Sequence, residues 1–149
     1  TWTFDGDVEV TVNIFANAAL EVTASNPPLS GWGWSAHPSE VTAKAQLTIN
    51  DAGAPNFDDK NAYPFYFQLA DGFGWEMYRN VFTTYNQEQA NAPGDLPQSN
   101  AEKKNQWLIR WSEQCECNMV QYMVDNWGLE VSQNAIDTVN AMGYSTWMP

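Results

Sequence analysis

Trp32 and Trp34 lie two positions apart in the run Gly31-Trp32-Gly33-Trp34, with His37 and Pro38 just downstream. Residues two apart share a face of an extended segment, so the two indoles would form a flat apolar platform. Sugar rings stack on such platforms through their C–H faces, and neighbouring Asn, Gln and Asp side chains bind the hydroxyls. Trp32, Trp34 and His37 are therefore the candidate ligand-binding residues, and a neutral polymer such as a glycan is the expected ligand. The alternative is that the same rings pack in a core or a subunit interface, where Trp and Tyr are enriched.

Asp51, Asp58 and Asp59, with Asn50, Asn56 and Asn61 around them, form an oxygen-rich loop. Calcium takes six to eight oxygen ligands of this kind, so these three aspartates are the candidate metal ligands and Ca2+ the candidate ion. The spacing is not that of an EF-hand, and Asp and Asn also form turns without any metal. Asp5 and Asp7 around Gly6 are a second, smaller cluster. No organic cofactor is expected, because no glycine-rich loop opens a helix.

His37 is the single histidine, so a Ser-His-Asp or Cys-His arrangement would have to be built on it. Nothing around it resembles a nucleophile elbow. The remaining enzymatic option is a pair of carboxylates, with Glu76 beside Trp75 as one member and a partner about 5–10 Å away. No catalytic residue is assigned on these grounds, and the expected function is a non-catalytic binding module. A small carboxylate-dependent glycan-processing enzyme is one alternative. Another is a self-assembling structural subunit of the phage tail or decoration type, with copies of itself as partners.

Cys115 and Cys117 are the only cysteines. Residues two apart on a helix do not face each other, so two free thiols are expected rather than an internal bridge, with intermolecular bonds left open. A disulfide scaffold is excluded by the count; a metal or redox site at the two cysteines is the alternative, although zinc would need more Cys or His at ligand spacing than His37 supplies.

The formal net charge of −12 comes from 18 acidic and only 6 basic residues. It argues against nucleic acid and against an anionic membrane surface as partners. No apolar run approaches the ~18 residues of a membrane span, so no transmembrane segment is expected. The surface is rich in Asn, Gln and Thr and poor in Lys and Arg, which points to an extracellular, cell-surface or virion-surface setting.

The elements that must position these residues read as strands first and helices last. Val8–Ile14, Leu20–Ala24 and Val41–Ile49 alternate apolar and polar residues with the period of half-buried strands. Tyr63–Leu69 and Trp75–Tyr85 are aromatic and strand-like, with Asp71, Gly72 and Gly74 turning between them. Residues 86–98 form a connection. Ser99 and Glu102 make a capping-box pattern, and Trp107, Leu108, Trp111, Cys115, Met119, Tyr122 and Met123 recur at spacings of three and four. These features predict a helix of about 26 residues from Asn100, stopped by Gly128. Ser132 caps a shorter helix ended by Gly143. The expected fold is α+β in one domain, residues 1–149, with an antiparallel sheet or sandwich over 1–85 and helices over 99–143.

The run from Val8 through Leu47, with Ser30-Gly31-Trp32, Pro38 and Val41, resembles slightly the N-terminal half of the aegerolysin and actinoporin-type β-sandwiches. That resemblance covers about a quarter of the chain and would imply a membrane-attacking sandwich. The capped helix from Ser99 departs from the pattern.

Overall fold

The structure is a computed structural model that describes residues 3–4, 11, 14–16, 18–19 and 62–149. Among the described residues there is no strand or sheet, and the only β-type pairing is an isolated bridge between Asn118 and Thr146. The expected α+β fold and the sandwich resemblance are therefore corrected to a helical architecture. Leu20–Ala24 and Val41–Ile49 lie outside the described residues.

Helix α1 spans Ala62–Asn91 and replaces both aromatic strands. Its first part hid its period because Phe65, Tyr66, Phe67, Gln68, Leu69 and Ala70 are all buried. A helix buried all round has no polar stripe, and a short apolar run of this kind looks the same whether strand or helix. Gly74 interrupts α1 with φ 74° and ψ 168°, a conformation open to glycine and costly for other residues. The expected turn at Asp71, Gly72 and Gly74 is thus replaced by a kink at Gly74 within the helix. Beyond it, Tyr78, Val81 and Tyr85 are buried at spacings of three and four. Thr11 and Ile14 are also helical and buried, three apart on one face, which overturns the strand assigned to Val8–Ile14.

A single 3-10 turn, Pro93–Asp95, follows α1, so the expected long connection shortens to 92–98. Helix α2 spans Asn100–Cys115 with the capping box formed: Glu102 N–H donates to Ser99 Oγ at 3.2 Å and Ser99 N–H donates to Glu102 Oε2 at 2.9 Å. Trp107, Leu108 and Trp111 are fully buried, as the stripe requires. The helix stops eleven residues before Asn126, because Glu116 takes the left-handed conformation (φ 51°, ψ 40°) and its N–H returns to Ser112 O. A π-helical turn, Gln121–Asn126, resumes the coil, and Gly128 ends it at φ 66°.

Cys115 and Cys117 form a disulfide, which corrects the expectation of free thiols. The objection to a bridge held only for a helix running through both residues, and the backbone leaves the helix between them. Helix α3 spans Gln133–Ala141 from its Ser132 cap, buries Ala135 and Val139, and is followed by Gly143 at φ 71°.

α2 packs on α1 and on α3. Their shared core is aromatic. Phe65 stacks on Tyr122 with centroids 5.5 Å apart, while Tyr66 meets Trp107 and Tyr78 meets Trp111 edge-on at 5.8 and 5.0 Å. Such pairs add about 0.5–1.5 kcal/mol beyond the area they bury. The polar ends of Tyr78, Tyr122 and Trp127 are satisfied inside. Tyr78 Oη donates to Tyr66 O at 2.5 Å, Tyr122 Oη to Phe65 O at 2.7 Å, and Trp127 Nε1 to Gln68 Oε1 at 2.8 Å. Among the described residues no helix is long and apolar enough to cross a membrane.

Candidate functional site

The second half of α1 carries two neighbouring rows. Trp75, Tyr78 and Phe82 follow at intervals of three and four, and Arg79, Thr83 and Asn86 follow at the same intervals one position on. Residues three and four apart lie beside each other on a helix, so an aromatic row runs alongside a polar one. The helical residues Ile14, Phe15 and Ala18 lie against this face. Together they border an open cleft of about 260 Å3, with Ile14, Phe15 and Ala18 on one wall.

The aromatic floor is continuous. Trp75 and Tyr78 have centroids 5.8 Å apart, Tyr78 and Phe82 5.8 Å, and Phe82 and Phe15 5.6 Å. Phe15 is 53% exposed and sits at the rim. The polar edge begins with Arg79, which is exposed and paired with Glu76 one turn earlier. Thr83 Oγ1 donates to Arg79 O at 2.7 Å, and Asn86 is exposed. A cleft with an apolar floor and a few convergent donors and acceptors is the usual form of a small-ligand site. This one can hold a ring that has an apolar face and a polar rim. Among the described residues of its floor, Tyr78 is the one titratable side chain, and burial raises its pKa well above the usual 10.

A second hollow of about 230 Å3 lies between the end of α1 and α2, bordered by Glu88, Asp95, Arg110 and Glu113. Its one cation is already engaged. The Arg110 guanidinium pairs with Glu88 and lies 4.5 Å from the centre of the Tyr85 ring.

The residues singled out in the sequence divide sharply. Trp32, Trp34, His37, Asp51, Asp58 and Asp59 all lie outside the described residues, as do Asp5 and Asp7. Glu76 stands on the exposed side of α1, its carboxylate turned to Arg79. Among the described residues no cluster of three His, Cys, Asp or Glu side chains could hold a metal. Phe15, Arg79, Phe82 and Asn86 were missed. The signal for the last three was the helical spacing from Trp75 to Asn86, hidden by reading that segment with a period of two.

Residues 1–128 match the family described as peptidase M60, enhancin and enhancin-like. The chain is similar to TRPM8 channel-associated factor 3 of Rattus norvegicus, 34% identical over 106 residues, which cover 68% of this chain and 11% of that protein. It is also similar to TRPM8 channel-associated factor 2 of Bos taurus, 28% identical over 109 residues, covering 70% of this chain and 11% of that protein. The chain thus spans about a tenth of the length of these relatives. A solved structure of a functionally unknown conserved protein from Bacillus anthracis str. Ames superposes with a TM-score of 0.71 at 21% identity, covering 99% of this chain and 29% of that one. This shared fold has no bearing by itself on activity.

Proposed function

The chain belongs to the peptidase M60, enhancin and enhancin-like family, and from that premise we propose that it forms a non-catalytic, substrate-holding part of a peptidase acting on proteins that bear neutral glycans. The observation that carries the reading is the open cleft whose floor runs Trp75, Tyr78, Phe82 and Phe15 beside Arg79 and Asn86. An aromatic floor takes the C–H face of a sugar ring, and the guanidinium and amide at the edge take its hydroxyls. The scarcity of Lys and Arg, 6 in all, supports an uncharged ligand over an anionic one. An extracellular or cell-surface setting accompanies this reading.

The test is titration of the full chain with an O-glycosylated peptide and with the same peptide lacking its sugar, followed by tryptophan fluorescence. The expected result is saturable binding of the glycopeptide alone, weakened about two- to tenfold by Phe15→Ala, in line with loss of one stacked ring. Equal binding of the bare peptide, or no saturable binding of either, would remove the proposal.

A further inference from the structure

The bridge between Cys115 and Cys117 closes a ring over one intervening residue. So small a loop restricts the unfolded chain far less than a long one, so stapling the fold is a poor account of this bond. Both cysteines are half-buried at the end of α2, neither sealed in the core nor fully exposed. Side chains two apart on an α-helix point about 200° away from each other. The bridge and an unbroken helix are therefore mutually exclusive.

The sequence pattern is also compatible with an unbroken helix. The apolar stripe of Trp107, Trp111, Cys115, Met119, Tyr122 and Met123 keeps its period of three and four straight through the break. The bridged form instead holds Glu116, a residue with a Cβ, in the left-handed region, a conformation that L-residues other than glycine adopt at a cost. The contacts of Asn118, just past the bridge, depend on that turn. Asn118 N–H donates to Ser145 O at 2.8 Å, Asn118 O accepts from Trp147 N–H at 3.1 Å, and Asn118 Nδ2 donates to Asn140 Oδ1 at 2.9 Å. The tail held in this way places Trp147 against Phe73 and Tyr122, with centroids 4.6 and 4.9 Å apart.

We propose that Cys115–Cys117 is a reversible thiol–disulfide switch that sets where α2 ends and whether the C-terminal tail is docked. A dithiol reductant delivers one thiolate to either sulfur of the bridge. The protein S–S bond breaks, a mixed disulfide forms, and the freed cysteine takes up a proton. The second thiolate of the reductant then displaces the other cysteine, leaving two protein thiols and a cyclic disulfide on the reductant. Two electrons and two protons pass to the protein, and an oxidised dithiol reverses both steps. In the dithiol form α2 propagates through Glu116, and Asn118 gives up Ser145 and Trp147.

The experiment equilibrates the full chain in buffers of reduced and oxidised dithiothreitol, traps thiols by alkylation, and follows amide hydrogen exchange by mass spectrometry. Reduction should add two alkyl groups and speed exchange at the Asn118 and Trp147 amides at least tenfold. The amides of α1 around Val81 should keep their protection, and reoxidation should restore the tail. Cys115→Ser combined with Cys117→Ser should show the reduced pattern permanently. Glu116→Gly, which removes the cost of the left-handed turn, should shift the midpoint toward the bridged form. Two alkylatable thiols in the fully oxidised chain would overturn the proposal, as would unchanged exchange at Trp147 after complete reduction.

Discussion

Trp147 covers Gly72 so closely that a Cβ at position 72 would stand 2.5 Å from Trp147 Cζ2. The indole cannot yield easily, because it is wedged between Phe73 and Tyr122. Gly72→Ala would gain up to about 1 kcal/mol of helix propensity, but overpacking of this kind costs about 1–3 kcal/mol. We expect a net loss of stability in urea unfolding. In a Trp147→Ala background the clash is gone, and the same substitution should be neutral or stabilising. Additive effects in that double-mutant cycle would contradict the contact.

Glu88 and Arg110 should respond unequally to truncation. The Arg110 side chain is 6% exposed and that of Glu88 31%. Glu88→Ala strands a buried guanidinium, for which a loss of about 3 kcal/mol is typical. Arg110→Met keeps the apolar stem and lets the carboxylate turn to water, so a loss below about 1.5 kcal/mol is expected. Denaturation midpoints of the two variants decide the matter, and equal losses would count against the burial argument.

Stability should fall at both ends of the pH scale, for opposite reasons. Backbone hydrogen bonds from Ser99 and Gln98 hold the Glu102 carboxyl below its ordinary value of 4.5. A group lowered in the folded state contributes fully above its unfolded pKa, and the contribution is lost as pH drops through the native value. Burial raises Tyr78 and Tyr122 well above 10. A group raised in the folded state contributes fully below its unfolded pKa, so stability should decline as pH climbs past about 10. Unfolding curves at pH 3, 7 and 11 test both limbs. Glu102→Gln, which removes the titrating carboxyl, should flatten the acid limb and leave the alkaline one alone.

The helix starts were legible because their chemistry is local. Ser99 with Glu102, and Ser132 ahead of Ala135, announce caps whatever the rest of the chain does. Trp107 and Trp111 were legible as core for a similar reason, since one helix presents both to the same side. α1 was not, because burial of every residue from Phe65 to Ala70 erased the polar contrast that marks a helix. Gly72 and Gly74 in its middle imitate a hairpin turn, although one makes room for Trp147 and the other kinks the helix. The bridge was hidden by the opposite error. A stripe that continues past Cys115 implies a helix that continues too, yet the backbone departs from it from Glu116 to Met119. Of the site, Trp75 entered only as the neighbour of Glu76, while Arg79 and Phe82 emerge only once the helical period is known.

Gly74 divides α1 into two stretches with different obligations. Residues 65–70 are locked on every side, so a change there must be answered by several neighbours at once. From Trp75 onward the exposed row, Arg79, Thr83 and Asn86, borders solvent and the cleft, and substitutions there disturb few contacts. A single glycine thus separates the part of the helix that can change only as a unit from a part whose exposed row can vary residue by residue while Tyr78, Val81 and Tyr85 stay fixed in the core. Proteins sharing this scaffold can diverge in what they hold without having to relearn how to fold.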